Sequence, residues 1–271
     1  MIAVCPNPYR DINLELTNRA VSLLNNAGFD TVICKIFDES GESLKDYADD
    51  ISLAVVVGGD GTILKAADDL EGSDVPIIGV NLGTKGFMAS VEPEEIEKVV
   101  DAAKGEFIPS VRMMLDVELK REGSMIYTGN CLNDAVVHGY GDTISISAFI
   151  GDSPIIKFSG DGLVLSTPTG STGYSMSAGG PIAEPEARAI IISPICAHSL
   201  RARNYVVGPD RVVTVKTEKL FERRAYLSVD GVQVADILSG DIVTVKESSH
   251  RITFASIGTK SFFETAFEKL M

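Results

Sequence analysis

Apolar positions in the first hundred residues recur in two alternating rhythms. Ile2 to Cys5 is a short unbroken apolar run, after which Ile12, Leu16, Ala20, Leu23, Leu24 and Ala27 return at spacings of three and four, up to Gly28. The run predicts a buried strand, and the spacing predicts one face of a helix that glycine stops. Thr31 to Ile36 reads as a second strand. Leu53-Ala54-Val55-Val56-Val57 is continuous and largely β-branched, as a strand covered on both faces must be. Thr62 to Leu70 is predicted helical, Val75 to Val80 a further strand, and Pro93 to Ala103 a helix closed by Gly105. Strand and helix in this alternation predict a parallel sheet flanked by helices.

After Pro109 the period shortens. Leu115, Val117 and Leu119 alternate with polar residues up to a turn at Glu122-Gly123, and Ile144, Ile146, Ala148 and Ile150 alternate up to Gly151-Asp152. Further strand-like runs lie near 204–216, 225–230, 241–246 and 251–257, divided by Gly, Asp and Ser. Many short strands at such intervals predict a mainly antiparallel β domain. Phe262 to Leu270 reads as a short helix able to pack back on the first domain. The expected organisation is an α/β domain over 1–107, a β-rich domain over 108–257 and a returning segment over 258–271.

Composition narrows the class. The 271 residues carry 24 Lys and Arg against 38 Asp and Glu, a formal net charge of -14. Such a polyanion repels nucleic acid and anionic membranes unless basic residues are concentrated locally, and no basic run is longer than Arg223-Arg224. Neither partner is expected. A site for phosphorylated ligands in this chain must use backbone N–H groups and a divalent cation rather than bulk charge. Cys5, Cys34, Cys131 and Cys196 are scattered without a C-x-x-C pair, so reduced thiols in the cytoplasm are expected. His138, His198 and His250 are equally dispersed, and no protein metal site is predicted. The start shows no secretory signal, and the apolar runs fall far short of the ~20 residues that span a bilayer.

Two segments carry candidate chemistry. Gly58-Gly59-Asp60-Gly61-Thr62 follows the best strand, at the end of a parallel sheet where ligands bind. Glycines let the backbone approach a phosphate, and the following helix adds its positive pole. Asp60 would repel a phosphate at close range, so it must face a cation or a hydroxyl proton. A tight strand–helix turn with Asp60 as helix cap is the other reading. The Rossmann fingerprint fails, because Leu64 stands where its third glycine belongs. In the second segment, seven Ser and Thr lie between Ser166 and Ser177 and five glycines between Gly160 and Gly179. Hydroxyls and bare backbone suit ribose, adenine edges and phosphate, and Tyr174 offers a ring face to a base. Asn133-Asp134 and Asn81-Leu82-Gly83-Thr84-Lys85-Gly86-Phe87 sit beside strands, where a turn is the alternative for each.

Taken in order, these segments resemble the NAD kinase family over most of the chain. Gly58 to Thr62 is similar to its first motif, and Asn133-Asp134 falls where it has Asn-Glu or Asn-Asp. Asp161-Gly162-Leu163, Ser166 to Thr172, Tyr174 and Ser177 to Pro181 are similar to its longest signature. Ile78 to Gly83, Gly86-Phe87 and Leu227-Ser228-Val229-Asp230-Gly231 match as well. The resemblance implies phosphoryl transfer from ATP, with Mg²⁺ or another divalent cation, to the 2′-hydroxyl of the adenosine ribose of NAD, giving NADP. It implies Asp60 as the catalytic carboxylate, and Gly61, Asn133, Asp134, Asp161, Thr172, Gly173, Tyr174, Ser175, Met176 and Ser177 around the dinucleotide. Gly58 and Gly59 would face the triphosphate, Lys65 would reach a phosphate, and the protein would form homodimers or homotetramers. Gly173 replaces a common Ala, Ser159 a frequent basic residue and Val232 a common Gln, while Asp134 is one methylene shorter than Glu. Gly-Gly-Asp-Gly also occurs in lipid kinases and 6-phosphofructokinases, and a non-catalytic NADP sensor is a further alternative.

Overall fold

A computed structural model describes residues 1–37, 43–83, 86–218, 220–258 and 261–270, so Thr84 and Lys85 lie outside the described residues. The chain divides into two units, Met1–Arg112 with His250–Met271, and Met113–Ser249. In the first, β1 (Ile2–Pro6), α1 (Glu15–Asn26), β2 (Thr31–Ile33), β3 (Leu53–Gly58), α2 (Asp60–Asp69), β4 (Ile77–Asn81) and α3 (Lys98–Ala103) follow the predicted alternation. β5 (Ile108–Arg121) carries the chain onward to β6 (Ser124–Cys131), β7 (Asp134–Gly139), β8 (Ile144–Ile150), β9 (Ser153–Gly160) and β10 (Gly162–Ser166). Then come α4 (Tyr174–Ser177), β11 (Ile190–Ile195), β12 (Tyr205–Val207), β13 (Val213–Thr217), β14 (Ala225–Val229) and β15 (Val232–Ile237). β16 (Ile242–Ser256) returns the chain to the first unit, where α5 (Phe262–Leu270) follows.

In the first unit the strands run in the order β2-β1-β3-β4, with the end of β16 beside β4, and every pairing is parallel. All six residues of β3 are buried, which explains its unbroken apolar sequence. Val4, Val55 and Val57 pack with Ala20 and Leu24 of α1 and with Val99 of α3. The helix predicted from Ile12 begins later. Ile12 is 72% exposed, and Asn13 and Leu14 adopt φ of 58° and 56°. The reason is Asp11, whose carboxylate accepts the Leu16 and Thr17 amides at 3.0 and 2.9 Å and so caps α1 a turn downstream.

The second unit is antiparallel. One sheet runs β12-β11-β10-β7-β14-β15, and β16, β13, β8 and β9 pair in that order in the other, where β5 also pairs β6. Alternate residues of both sheets, among them Leu115, Val117, Ile146, Leu163, Ile192, Val215 and Leu227, fill one core. Glu122-Gly123 and Asp230-Gly231 each place two successive residues at positive φ, the signature of a type I′ hairpin turn. The runs at 241–246 and 251–257 prove to be one strand, β16.

Gly79, in the middle of β4, allows α2 and the Ala89 backbone to close on the sheet. A Cβ there would lie 2.6 Å from Ile63 Cδ1 and 2.9 Å from Ala89 Cα. Gly79→Ala is therefore expected to lower stability by about 1–3 kcal/mol, read as an earlier urea midpoint at unchanged slope.

Candidate functional site

β1, β3 and β4 all finish at one edge of the first unit's sheet, and their following loops shape a cleft of about 440 Å³. Asn7, Arg10, Phe37, Gly59, Asp60, Gly61, Thr62, Gly83 and Gly86 line it. Gly59 is the N-cap of α2 and Asp60 its first residue, with no side-chain cap bond, so the capping reading of Asp60 is not realised. Its carboxylate instead accepts the Phe87 amide at 2.8 Å and the Met88 amide at 3.3 Å. Gly86 makes this approach possible, since a Cβ there would stand 3.1 Å from Asp60 Oδ1. Burial pushes the Asp60 carboxyl above the usual range, opposed by the two amides and by the Lys269 charge. Lys269, on α5, donates to the Gly86 carbonyl and lies over the Phe87 ring.

Among the described residues, cations are scarce in this cleft. Arg10 Nη1 donates to the Leu82 carbonyl at 3.1 Å and stands beside Gly59. Thr62 is buried and its hydroxyl is held by Asn7 Nδ2 at 2.9 Å, which fixes the first turn of α2. Gly58 is needed for the same turn, because a Cβ would fall 2.4 Å from Thr62 Oγ1. Lys65 is exposed further along α2, where its charge acts on Asp69.

In the second unit the Asn133-Asp134 pair enters β7. The Asp230 carboxylate accepts the amides of Leu132, Asn133 and Asp134 at 2.8, 2.7 and 3.1 Å. Thr167 donates its hydroxyl to the Leu132 carbonyl at 2.6 Å and its amide to the Asn133 carbonyl at 2.9 Å. Asn133 Oδ1 and the Thr169 hydroxyl are buried without a hydrogen-bond partner. Native proteins rarely leave such atoms unpaired, so both mark a place for a polar ligand. Asp134 is buried, and desolvation together with the Asp230 charge raises its carboxyl to about 7.

The 159–181 segment runs along β10 into α4. Gly162 opens the strand, and Asp161 is half-buried with its carboxylate bonded to the Cys196 thiol. Thr172, Gly173 and Met176 are partly exposed, and Ser177 is exposed. Ser175 is buried with its hydroxyl 3.1 Å from that of Ser193, so its side chain serves packing. Tyr174 is exposed and loosely stacked on His138 at a centroid distance of 6.4 Å, and His138 in turn stacks on Tyr226 at 5.6 Å. A larger cleft of about 1190 Å³ lies elsewhere in this unit, but Asp142, Glu218 and Glu222 line it and would repel a phosphate.

Sequence reasoning missed Asn7, Arg10, Phe37 and Lys269, and gave Thr169 and Asp230 no task. Arg10 and Asn7 carried a usable signal, since they follow a parallel strand at its carboxyl end. Lys269 carried none, because only the folded chain brings it beside Gly86.

Residues 2–105 match the model of the ATP-NAD kinase N-terminal domain and residues 133–257 that of the C-terminal domain. An NAD kinase of Acetivibrio thermocellus is 35% identical, covering 99% of this chain and 96% of its own. One of Citrifermentans bemidjiense is 37% identical, covering 86% and 81%. In fold, the chain is similar to yeast NADH kinase complexed with NADH, with a TM-score of 0.87 at 24% identity, covering 99% of this chain and 86% of that one. It is also similar to an NAD kinase from Archaeoglobus fulgidus in complex with ATP, with a TM-score of 0.78 at 24% identity over 100% and 98%. With both domain models matched and a third of the residues shared along nearly its whole length, the chain belongs to the NAD kinase family.

Proposed function

We infer that this chain transfers the terminal phosphoryl group of ATP to the 2′-hydroxyl of the adenosine ribose of NAD, forming NADP, with Asp60 as general base. The observation that carries the assignment of Asp60 is its combination of rigidity and spare acceptor capacity. Two backbone amides fix the carboxylate. An ionised carboxylate offers about four lone-pair sites, so room is left for a hydroxyl proton. Its raised pKa makes it a stronger base than a solvated aspartate.

Phosphoryl transfer asks the protein mainly for alignment and for neutralisation of the transferred oxygens. Asp60 accepts the proton as the ribose oxygen attacks phosphorus, and the bond from the terminal phosphorus to the bridging oxygen breaks, releasing ADP. Arg10 and the N-terminal amides of α2, with Gly59 and Gly61 alongside, form the side of the cleft suited to the donor phosphates. Among the described residues that line this cleft, Asp60 is the one carboxylate, and the divalent ion would accompany the triphosphate as part of the substrate MgATP. There it would neutralise the oxygens that gain charge. Asn133, Asp134, Asp161 and the Thr172 to Ser177 stretch of the second unit hold the dinucleotide. Thr169 joins them, because its buried hydroxyl lacks a partner.

Three measurements follow, using NADP formation coupled to a dehydrogenase. Asp60→Asn should retain NAD binding while kcat falls at least about a hundredfold, and near-normal kcat would remove Asp60 from its role. Arg10→Ala should raise the KM for ATP about tenfold, the loss of one charge-assisted contact, with the KM for NAD unchanged. Equal rises in both would show that Arg10 shapes the cleft rather than binds the donor. Excess chelator should abolish turnover, and persistent activity would contradict the metal requirement.

A further inference from the structure

Residues 132–134 have no free backbone polar group. Their three N–H groups go to the Asp230 carboxylate. Their carbonyls accept the Thr167 hydroxyl, the Thr167 amide and the Asp230 amide in turn. Four of these six bonds end on Asp230. The side chains carried by this segment are in the opposite condition. Asn133 Oδ1 is buried with no partner, and the Asp134 carboxylate has no hydrogen-bond partner among the described residues. A locked backbone presenting unspent polar side chains is the arrangement of a preorganised binding element.

We infer that Asp230 is the positioning residue of the acceptor half-site, gathering the Leu132, Asn133 and Asp134 amides on one carboxylate and so holding the Asn133 and Asp134 side chains for the dinucleotide. This rests on the assignment of those two residues to NAD. A simpler role, as the first residue of the β14–β15 turn, would need no carboxylate. Asp230 and Gly231 have φ of 46° and 82°, and Asn-Gly is the favoured pair in a type I′ turn. Asp230→Asn therefore keeps the hairpin while removing the charge and replacing one acceptor oxygen with a donor.

The same charge acts on Asp134. Facing Asp134 are Asp230 from the β14–β15 turn, the Cys131 thiol at the end of β6 and the Tyr174 hydroxyl on α4. Of these, Asp230 and burial hold the Asp134 carboxyl near 7. Ribose hydroxyls donate to a carboxylate, so NAD binding weakens as pH falls through about 7 and Asp134 takes up a proton. Without the neighbouring negative charge, Asp134 ionises at lower pH, and the acid limb moves down with it.

The test measures NAD dissociation constants and steady-state kinetics for the full chain and for Asp230→Asn between pH 5.5 and 8.5, a range chosen to bracket the Asp134 titration. At pH 8 the variant should show about a tenfold higher KM for NAD, an unchanged KM for ATP, and an acid limb displaced to lower pH. Asp230→Gly keeps both positive-φ positions and should reproduce these effects, providing a second variant if Asp230→Asn folds poorly. A parent chain that fails to bind NAD would overturn the acceptor assignment and this inference with it. A parent chain that binds NAD, beside variants with the same NAD affinity and the same acid limb, would overturn the positioning role alone.

Discussion

Carboxylate-to-amide hydrogen bonds hold the loops on which this protein depends. Asp11 takes the Leu16 and Thr17 amides, Asp60 those of Phe87 and Met88, and Asp230 those of three successive residues. Each bond pairs an ionised acceptor with a backbone donor, which makes it stronger than a neutral one. The chain's excess of acid is thus put partly to internal use. Side chains that would burden an anion-binding protein become the ties of its connections.

That arrangement also reconciles a net charge of -14 with phosphorylated substrates. Among the described residues, the first unit places few cations at its cleft, and each stands beside a glycine: Arg10 against Gly59, and Lys269 on the Gly86 carbonyl. Small residues let a charge act at short range, where the low local dielectric makes it count. In the second unit the candidate residues offer hydroxyls, amides and the Asp134 and Asp161 carboxylates rather than cations. The half-exposed row of Tyr174, His138 and Tyr226 adds aromatic faces rather than ions.

Elements whose signal is local were legible in the amino-acid sequence. β3, with six buried residues, and α2 behind its glycine turn were readable because periodicity and turn chemistry agree there. α1 was misplaced at its start because the Asp11 side chain competes with the apolar rhythm that includes Ile12. β15 was missed because three of its six residues are polar or small and one face lies open to solvent. The site was legible wherever several of its residues adjoin in sequence, as from Asp161 to Ser177. Arg10 and Lys269 were opaque because neither belongs to a run, and the cation that acts on Asp60 lies 209 positions further along the chain. Asp230 was visible as part of a motif, but its task depends on amides about a hundred positions away.

The division of the chain has a bearing on how the protein is made. Residues 113–249 form a contiguous unit, whereas the first unit needs 250–271 as well as 1–112. On the ribosome, the second unit is therefore complete while its predecessor still lacks the strand segment that pairs Phe254 with Ile77 and the helix that carries Lys269. Until that segment emerges, β4 is an open edge, and an open edge is where nascent chains stick to one another. Its short length of five residues keeps that exposed ladder small during the interval.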